Sequence, residues 1–206
     1  MKDSYSRHAE DRFIHANFFS KRTKPGFYVD LGAGDGVQNN NTLAFQKMGW
    51  RGILQETPDL LEELVENRHG TGAMFSDIYV GTEKGKLNEL FKSAKITAID
   101  LFCINKGGNV INILKHMNWN IPVGVWCINF DKHKDDKKEA ADLLKKYGYT
   151  FYVNYHGSEI WVGTDLENFN GETVIEKSNT KVSTKTTAMR ILVLFALTEL
   201  VLQVGK

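Results

Sequence analysis

Glycines alternate with other residues along the stretch D-L-G-A-G-D-G, from Asp30 to Gly36, which directly follows the apolar run FYV. Glycine tolerates positive φ angles and lets a ligand approach the main chain closely, so this stretch predicts a loop that binds a small molecule. The spacing differs from G-x-G-x-x-G, which places a pyrophosphate on a helix N-terminus. No G-K-[ST] follows the stretch, so a P-loop is excluded.

Acidic and hydroxyl side chains follow the next two apolar runs. Glu56, after GILQ, can accept hydrogen bonds from both hydroxyls of a ribose, and Ser76 and Asp77, after GAMF, can bond the amino group of an adenine. Acids around a glycine loop suit a positively charged ligand better than a diphosphate. A cationic ligand with a ribose and little phosphate indicates S-adenosylmethionine, with Asp30 orienting the loop and the amino-acid end of the ligand. The predicted cofactor-binding residues are Asp30, Gly32, Ala33, Gly34, Asp35, Gly36, Glu56, Ser76 and Asp77.

The elements that would position these residues alternate between strands and helices. The apolar runs FYVDL, RGILQ, AIDLFCI and PVGVWCI predict buried strands, and PDLLEELVENR and DKKEAADLLKKYGY have helical spacing. Apolar strands separated by helices predict an α/β fold with a mostly parallel central sheet and helices on both faces. The runs TFYVNY and SEIWVG predict a C-terminal antiparallel hairpin around His156 and Gly157. Ligands of such sheets bind beyond the carboxyl ends of the strands, where the glycine loop and the acids fall.

The chain divides into three regions by composition. Residues 1–165 carry the alternating pattern, 166–187 form a polar linker rich in Thr, Ser and Lys, and 188–206 form an apolar segment. The apolar segment is shorter than a usual membrane span and contains Glu199, which is costly in hydrocarbon. Three interpretations of 188–205 stay open: a buried helix or protein interface, membrane association, or a disordered tail.

Bulk properties exclude few partners. The 206 residues carry a formal net charge of +1, which gives no general electrostatic footprint for nucleic acid. The N-terminus has no apolar h-region, so we expect a cytoplasmic protein. Cys103 and Cys127 lie inside apolar strand runs and are expected to be core residues rather than a disulfide or a metal pair. No further Cys/His cluster indicates a metal site.

Three blocks of the sequence resemble one known family. EDRFIHANFF, GFYVDLGAGDGVQNNNTLAFQKMGWRGILQETPDLLEELVENR and IDLFCINKGGNVINILKHMNW together resemble the FkbM-type S-adenosylmethionine-dependent methyltransferases. The resemblance covers about Ser6 to Gly163, most of the chain. It implies a Rossmann-like methyltransferase sheet and methyl transfer to an oxygen of a small acceptor, such as a sugar or a polyketide.

The second signature of that family, approximately I-D-V-E-G-x-E, is altered in this chain. It aligns with Ile104 to Val110, where the family's carboxylates fall on Asn105, Gly107 and Val110. In that family the strand that corresponds to PVGVWCI should also end in an acid, and here it ends in Asn129.

The predicted catalytic positions are therefore Asn105, Asn129 and His133. The two amides can hydrogen-bond but cannot take a proton from an alcohol. His133, in NFDKHKDD, is the candidate substitute base, although a charged run at a helix start is also typical of capping.

Two hypotheses of different classes follow. The first is an S-adenosylmethionine-dependent O-methyltransferase acting on a small hydroxylated acceptor. The second is a catalytically impaired relative that serves as a binding or scaffold module, which the altered second signature favours. A nicotinamide dehydrogenase fits poorly because the glycine spacing is wrong for a dinucleotide.

Overall fold

The computed structural model describes residues 1–70, 72–77, 86–105, 110–130 and 136–163, together with the backbone of 191–192. The helices are α1 (Glu10–Ile14), α2 (Leu43–Lys47), α3 (Pro58–Arg68), α4 (Lys86–Ser93), α5 (Val110–His116) and α6 (Lys137–Lys146), and a π-helical turn at His15–Phe19 continues α1. The strands are β1 (Phe27–Leu31), β2 (Arg51–Gln55), β3 (Ala73–Ser76), β4 (Ile99–Ile104), β5 (Val123–Asn129), β6 (Tyr149–Tyr155), β7 (Ser158–Gly163) and β8 (Ile191–Leu192).

The strands form one sheet in the order β6-β7-β5-β4-β1-β2-β3-β8. Strands β1 to β5 are parallel to one another, β7 is antiparallel to both β5 and β6, and β8 is antiparallel to β3. We call the edge where β1 to β5 begin the amino edge, and the edge where they end the carboxyl edge. The predicted α/β class, Rossmann-like with a mostly parallel sheet and an antiparallel C-terminal hairpin, is confirmed.

Each face of the sheet carries its own apolar core, as the unbroken apolar strands predicted. Alternate residues of a strand enter opposite cores: Phe102 packs with α4, α5 and α6, while Cys103 packs on the face covered by α1, α2 and α3. Phe102 also stacks on Trp126 with the ring centroids 4.4 Å apart. Cys103 and Cys127 are both buried and unpaired, and burial raises the pKa of the Cys103 thiol well above its usual range. Both cysteines are core residues, as predicted.

The two edges of the sheet end differently. Strand β6 carries a β-bulge between Phe151 and Val153, and Phe151 and Tyr152 are 44% and 47% exposed. At the other end, Ser76 of β3 pairs with Ile191 of β8.

The C-terminal predictions fall mostly outside the described residues. Ile191 and Leu192 form a strand, so the helix interpretation of 188–205 is wrong for these two positions. The linker 166–187 and the remainder of 188–206 lie outside the described residues. Among the residues that the structure describes, no helix combines the length and the hydropathy that a bilayer crossing requires.

Candidate functional site

The glycine loop begins where β1 ends, at the carboxyl edge of the sheet. Gly32, Gly34 and Gly36 have φ angles of +75°, +63° and +77°, the left-handed region that favours glycine. The N–H groups of Gly32 and Ala33 both donate to the carbonyl oxygen of Gln55, at 3.0 and 3.1 Å, so the start of the loop is tied to β2. The alternation of glycines therefore has a conformational cause at each position.

Gly34 and Gly36 meet opposite surroundings. A Cβ on Gly36 would lie 2.5 Å from Arg68 Cγ and 2.6 Å from Leu64 Cδ1, so the loop packs directly on α3 there. A Cβ on Gly34 would meet no atom within 4 Å. The open space beside Gly34 is where a ligand can reach the main chain.

Asp30 lies beneath the loop and is fully buried. Its Oδ2 accepts hydrogen bonds from Thr42 Oγ1 at 2.7 Å and Asn40 Nδ2 at 3.0 Å, and its Oδ1 accepts one from Asn105 Nδ2 at 2.6 Å. Burial raises the pKa of Asp30, while the Thr42 hydrogen bond, the Arg68 charge and the two amides act against that rise. Asp30 is linked to the loop through Asn40, which also donates to the Ala33 carbonyl oxygen, and its two predicted roles stay predictions.

Arg68, at the end of α3, is the buried cation of this network and is 1% exposed. Its guanidinium donates to the Gly36 carbonyl oxygen at 2.8 Å, to Asn40 Oδ1 at 2.9 Å and to Thr42 Oγ1 at 3.3 Å. The remaining donors bond Tyr28 Oη and Gln46 Oε1, so every N–H of the fork has an acceptor. Arg68 was not among the predicted site residues, because a cation in the last turn of an amphipathic helix normally indicates only a favourable interaction with the helix dipole.

Asn40 connects both charges of the network. Its Nδ2 donates to Asp30 and to the Ala33 carbonyl oxygen at 3.1 Å, and its Oδ1 accepts from Arg68 and from the N–H groups of Thr42 and Leu43 at 2.9 Å each. The predicted site did not include Asn40 or Thr42. They lie in the run NNNTL, within the block that resembles the FkbM-type methyltransferases, and that resemblance was the available signal for them.

Glu56 follows β2 at the same edge and faces the loop. Its Oε2 accepts a hydrogen bond from the Gly34 N–H at 2.6 Å, and its Oε1 accepts one from the Thr57 N–H at 2.9 Å. The side chain is only partly buried. The carboxylate that was predicted to hold ribose hydroxyls thus lies beside the open space at Gly34.

The other predicted cofactor-binding residues lie at the ends of the same strands. Asp35 caps the loop, since its Oδ1 accepts from the N–H groups of Val37 and Gln38 at 2.8 Å each. Ser76 ends β3 and is 1% exposed, and its carbonyl oxygen accepts a hydrogen bond from the Glu56 N–H at 3.1 Å. Asp77, the next residue, is partly buried. The structure therefore brings all nine predicted residues to one stretch of the carboxyl edge.

The structure places only one of the three predicted catalytic positions in the network around Asp30. Asn105 reaches the network, donating to Asp30 and accepting from Asn41 Nδ2 at 3.1 Å, and its own N–H donates to Leu31 at 2.9 Å. Asn129 ends β5 opposite Ser158 of β7. His133 lies outside the described residues.

The N-terminal segment crosses the carboxyl edge. The Tyr5 carbonyl oxygen accepts from the Asn40 N–H at 3.0 Å, and the exposed ring of His8 stacks on that of His156 with centroids 5.0 Å apart. His156 lies in the turn before Ser158, beyond the end of β5. The stacking places two imidazole rings at this edge, an arrangement that the sequence did not indicate. Within the described ranges, no three His, Cys, Asp or Glu side chains form a group able to hold a metal ion.

No family model and no curated protein matches the sequence. Among solved structures, the chain is similar to a precorrin-6Y C5,15-methyltransferase from Geobacter metallireducens, with 14% identity, a TM-score of 0.47, and coverage of 78% of this chain and 90% of that one. It is also similar to the pyocyanin biosynthetic protein PhzM (11%, TM-score 0.48, 74% and 54%) and to an O-methyltransferase family protein from Burkholderia thailandensis (12%, TM-score 0.47, 67% and 50%). The chain spans about half the length of the last two. Likenesses of this degree carry no argument about ligand or activity, which rests on the chain's own residues.

Proposed function

We propose that this chain binds S-adenosylmethionine at the carboxyl edge of β1 and β2 and transfers its methyl group to an oxygen of a small hydroxylated acceptor. The observation that carries the proposal is the open space at Gly34 beside the Glu56 carboxylate. The motif from Gly26 to Leu54, with its resemblance to the FkbM-type methyltransferases, supports the finer assignment.

The residues around Gly34 suit this cofactor chemically. Glu56 holds its carboxylate at the end of β2, where it can exchange its bond to the Gly34 N–H for bonds from ribose hydroxyls. Asp35 and Glu56 add negative charge near the loop, which favours a sulfonium ligand. Asp30 and Arg68 hold the loop from below, so the Gly34 main chain is set in place before a ligand arrives.

The cofactor supplies an electrophilic methyl group on a positively charged sulfur. Transfer to an alcohol forms a carbon–oxygen bond, breaks the carbon–sulfur bond and releases the proton of the alcohol, which a nearby base has to take. Asn105 and Asn129 are neutral amides and cannot take it. His133 stays the predicted base, and the exposed pair His8 and His156 provides a second imidazole source at the same edge.

A second candidate function is binding without catalysis. It is favoured by Asn105, whose amide is fully engaged with Asp30 and Asn41 where the resembling family has a carboxylate. In this case the loop would hold a ligand, and neither Asn105 nor Asn129 would take a proton from an acceptor.

Calorimetric titration with S-adenosylmethionine and with S-adenosylhomocysteine tests the shared part of both candidates. Micromolar binding of either ligand is expected. Absence of binding by a folded protein would remove the methyltransferase, and it would leave the second candidate only as a scaffold or as a binder of a different ligand.

Transfer of a tritiated methyl group to a panel of sugars and small hydroxylated polyketides then separates the two candidates. Methylation of a panel member supports the enzyme. Cofactor binding without transfer to any member favours the binding module.

A further inference from the structure

A cavity of about 270 Å³ opens between the C-terminal ends of α2 and α3, where these helices lead into β2 and β3. Its polar lining among the described residues consists of Gln46, Lys47, Asn67, Arg68 and His69. No aspartate or glutamate in the described part of the chain lines it. Pockets for drug-sized ligands range from about 300 to 1,000 Å³, so this cavity suits a smaller molecule.

The wall of the cavity is fixed by hydrogen bonds to the glycine loop and between the two helices. Asn67 Nδ2 donates to the Asp35 carbonyl oxygen at 2.9 Å, and the Arg68 guanidinium donates to the Gly36 carbonyl oxygen at 2.8 Å. Gln46 Nε2 donates to the Arg68 carbonyl oxygen at 3.1 Å, which joins α2 to α3. Because these groups are already held in place, a ligand would not have to order them on binding.

Lys47 is the cation at this cavity whose charge is not balanced by a carboxylate of the described residues. The charge of Arg68 is offset through Thr42, which accepts a hydrogen bond from the guanidinium and donates one to Asp30. The Lys47 ammonium instead donates to the neutral phenol of Tyr5, at 2.8 Å from Oη. Since an ammonium has three donors, two of them stay available to a ligand.

His69 and Gly70 form the side of the cavity that follows α3. His69 Nδ1 donates to the Glu66 carbonyl oxygen, so the ring is oriented by the helix end. A bound anion stabilises the imidazolium form, in which Nε2 donates as well. A Cβ on Gly70 would meet no atom within 4 Å, so a ligand can approach the main chain at this position.

Interaction with helix dipoles explains only part of this arrangement. Lys47 and Arg68 lie in the last turns of α2 and α3, where a cation is stabilising. Helix α2 has only five residues, however, so its dipole is small. A dipole also does not require that the cations of two helices line one cavity without an acid. A bound anion accounts for both observations.

We propose that this cavity binds the phosphate group of a small phosphorylated metabolite, held by the Lys47 ammonium, the His69 ring and the Asn67 amide. A phosphate monoester carries a charge of about −1.5 to −2 at pH 7, which two cations balance, whereas a carboxylate needs only one. The site is separate from the proposed methyl transfer, because neither Gly34 nor Glu56 lines the cavity.

Nuclear magnetic resonance titration of the ¹⁵N-labelled full chain with glycerol 3-phosphate tests the proposal. At constant ionic strength, we expect saturable shifts of the Gly70 amide and the Asn67 side-chain amide, with a Kd on the order of 1 mM. Acetate at the same concentrations should give no saturable shift. Lys47→Gln should weaken the binding of glycerol 3-phosphate by roughly tenfold, because it removes a charge-assisted hydrogen bond. His69→Gln should weaken it by roughly threefold.

Two control variants keep the ammonium at position 47. Lys145→Gln makes the same change of charge at an exposed position in the last turn of α6, and it should leave the Kd unchanged. Tyr5→Phe removes the phenol that Lys47 bonds, and it should bind at least as tightly as the unaltered protein. Thermal melting of each variant shows that a loss of binding is not a loss of fold.

Four results would overturn the proposal. They are the absence of a saturable shift with glycerol 3-phosphate, an equal affinity for acetate, equal losses in Lys47→Gln and Lys145→Gln, and an unchanged Kd in both Lys47→Gln and His69→Gln. The third result would reduce the effect to net charge. The fourth would place the binding of phosphate elsewhere on the chain.

Discussion

The Asn105 amide donates a hydrogen bond of 2.6 Å to the buried carboxylate of Asp30, across the two neighbouring strand ends of β1 and β4. The same side chain accepts a hydrogen bond from Asn41. An amide at this position complements Asp30, which has no other donor at its Oδ1 among the hydrogen bonds described. Where the family that the sequence resembles has a carboxylate, Asn105 thus supplies a hydrogen-bond donor to the acid below the glycine loop.

Replacing Asn105 by Asp should destabilise the protein although it restores the acid of the resembling family. The substitution removes a donor and places a second carboxylate against Asp30 in a buried setting, at a cost of about 3 kcal/mol in the free energy of unfolding at neutral pH. Urea denaturation at pH 7.5 measures it. Asn120→Asp, at an exposed position, is the control and should change little.

The defect of Asn105→Asp should depend on pH. Burial already raises the pKa of Asp30, and a neighbouring carboxylate raises it further, so the folded state binds a proton more tightly than the unfolded state. Stability of the variant relative to the parent should therefore be highest at about pH 4 to 5 and fall as pH rises toward 8. A pH-independent difference would show that the two carboxyl groups do not interact.

Alanine at the two loop glycines should separate binding from stability. Gly36→Ala forces a Cβ against Arg68 and Leu64 at a positive φ, and about 3 kcal/mol of stability should be lost. Gly34→Ala meets open space and should cost only about 1 kcal/mol, yet it should weaken S-adenosylhomocysteine binding by filling the approach to the main chain. Thermal melting and calorimetry on both variants are sufficient. Unchanged affinity in Gly34→Ala would show that the ligand does not bind beside this loop.

Arg68→Met should be strongly destabilising, by about 3 to 5 kcal/mol, because Asp30 loses its compensating charge and the acceptors of the guanidinium lose their donors. Arg68→Lys should recover little, since an ammonium cannot reproduce the planar fork. The urea denaturation midpoints of the two variants measure both losses of stability. Full recovery by lysine would mean that charge alone, without the hydrogen-bond geometry, supports the loop.

Glu56→Gln should keep the fold and weaken binding of the cofactor. Glutamine retains an oxygen that can accept from the Gly34 N–H, so the melting temperature should shift little. The loss of a charge-assisted acceptor for ribose hydroxyls should lower affinity for S-adenosylhomocysteine by roughly tenfold. Asp59→Asn, at an exposed position in the first turn of α3, is the control and should bind normally.

Much of the fold could be predicted because the residue pattern within each segment indicates whether that segment forms a helix or a strand. The run PDLLEELVENR became α3 over the same residues, with Pro58 at its first turn. The apolar runs of β1 and β4 are buried at every position, which only a sheet covered on both faces allows. The polar residues that follow these strands predicted a site at the carboxyl edge, because ligands of such sheets bind beyond the carboxyl ends of the strands.

What could not be predicted depends on contacts between distant segments. Arg68 belongs to the site only because the loop after β1 folds down onto α3, and no local pattern encodes that approach. The stacking of His8 on His156 likewise joins residues from opposite ends of the domain. The π-helical turn at His15–Phe19 also had no signal in the spacing of its apolar residues.

The bulge at Phe151 and Val153 bears on how this protein behaves when it is concentrated. Strand β6 is an edge strand of the sheet. It contains neither a charged residue nor a proline, the usual protections against edge-to-edge pairing. The extra residue breaks the ladder, so a second chain cannot add its strand in continuous register. Local backbone geometry thus acts as the barrier to amyloid-like growth at this edge, and deletion of Tyr152 would remove it.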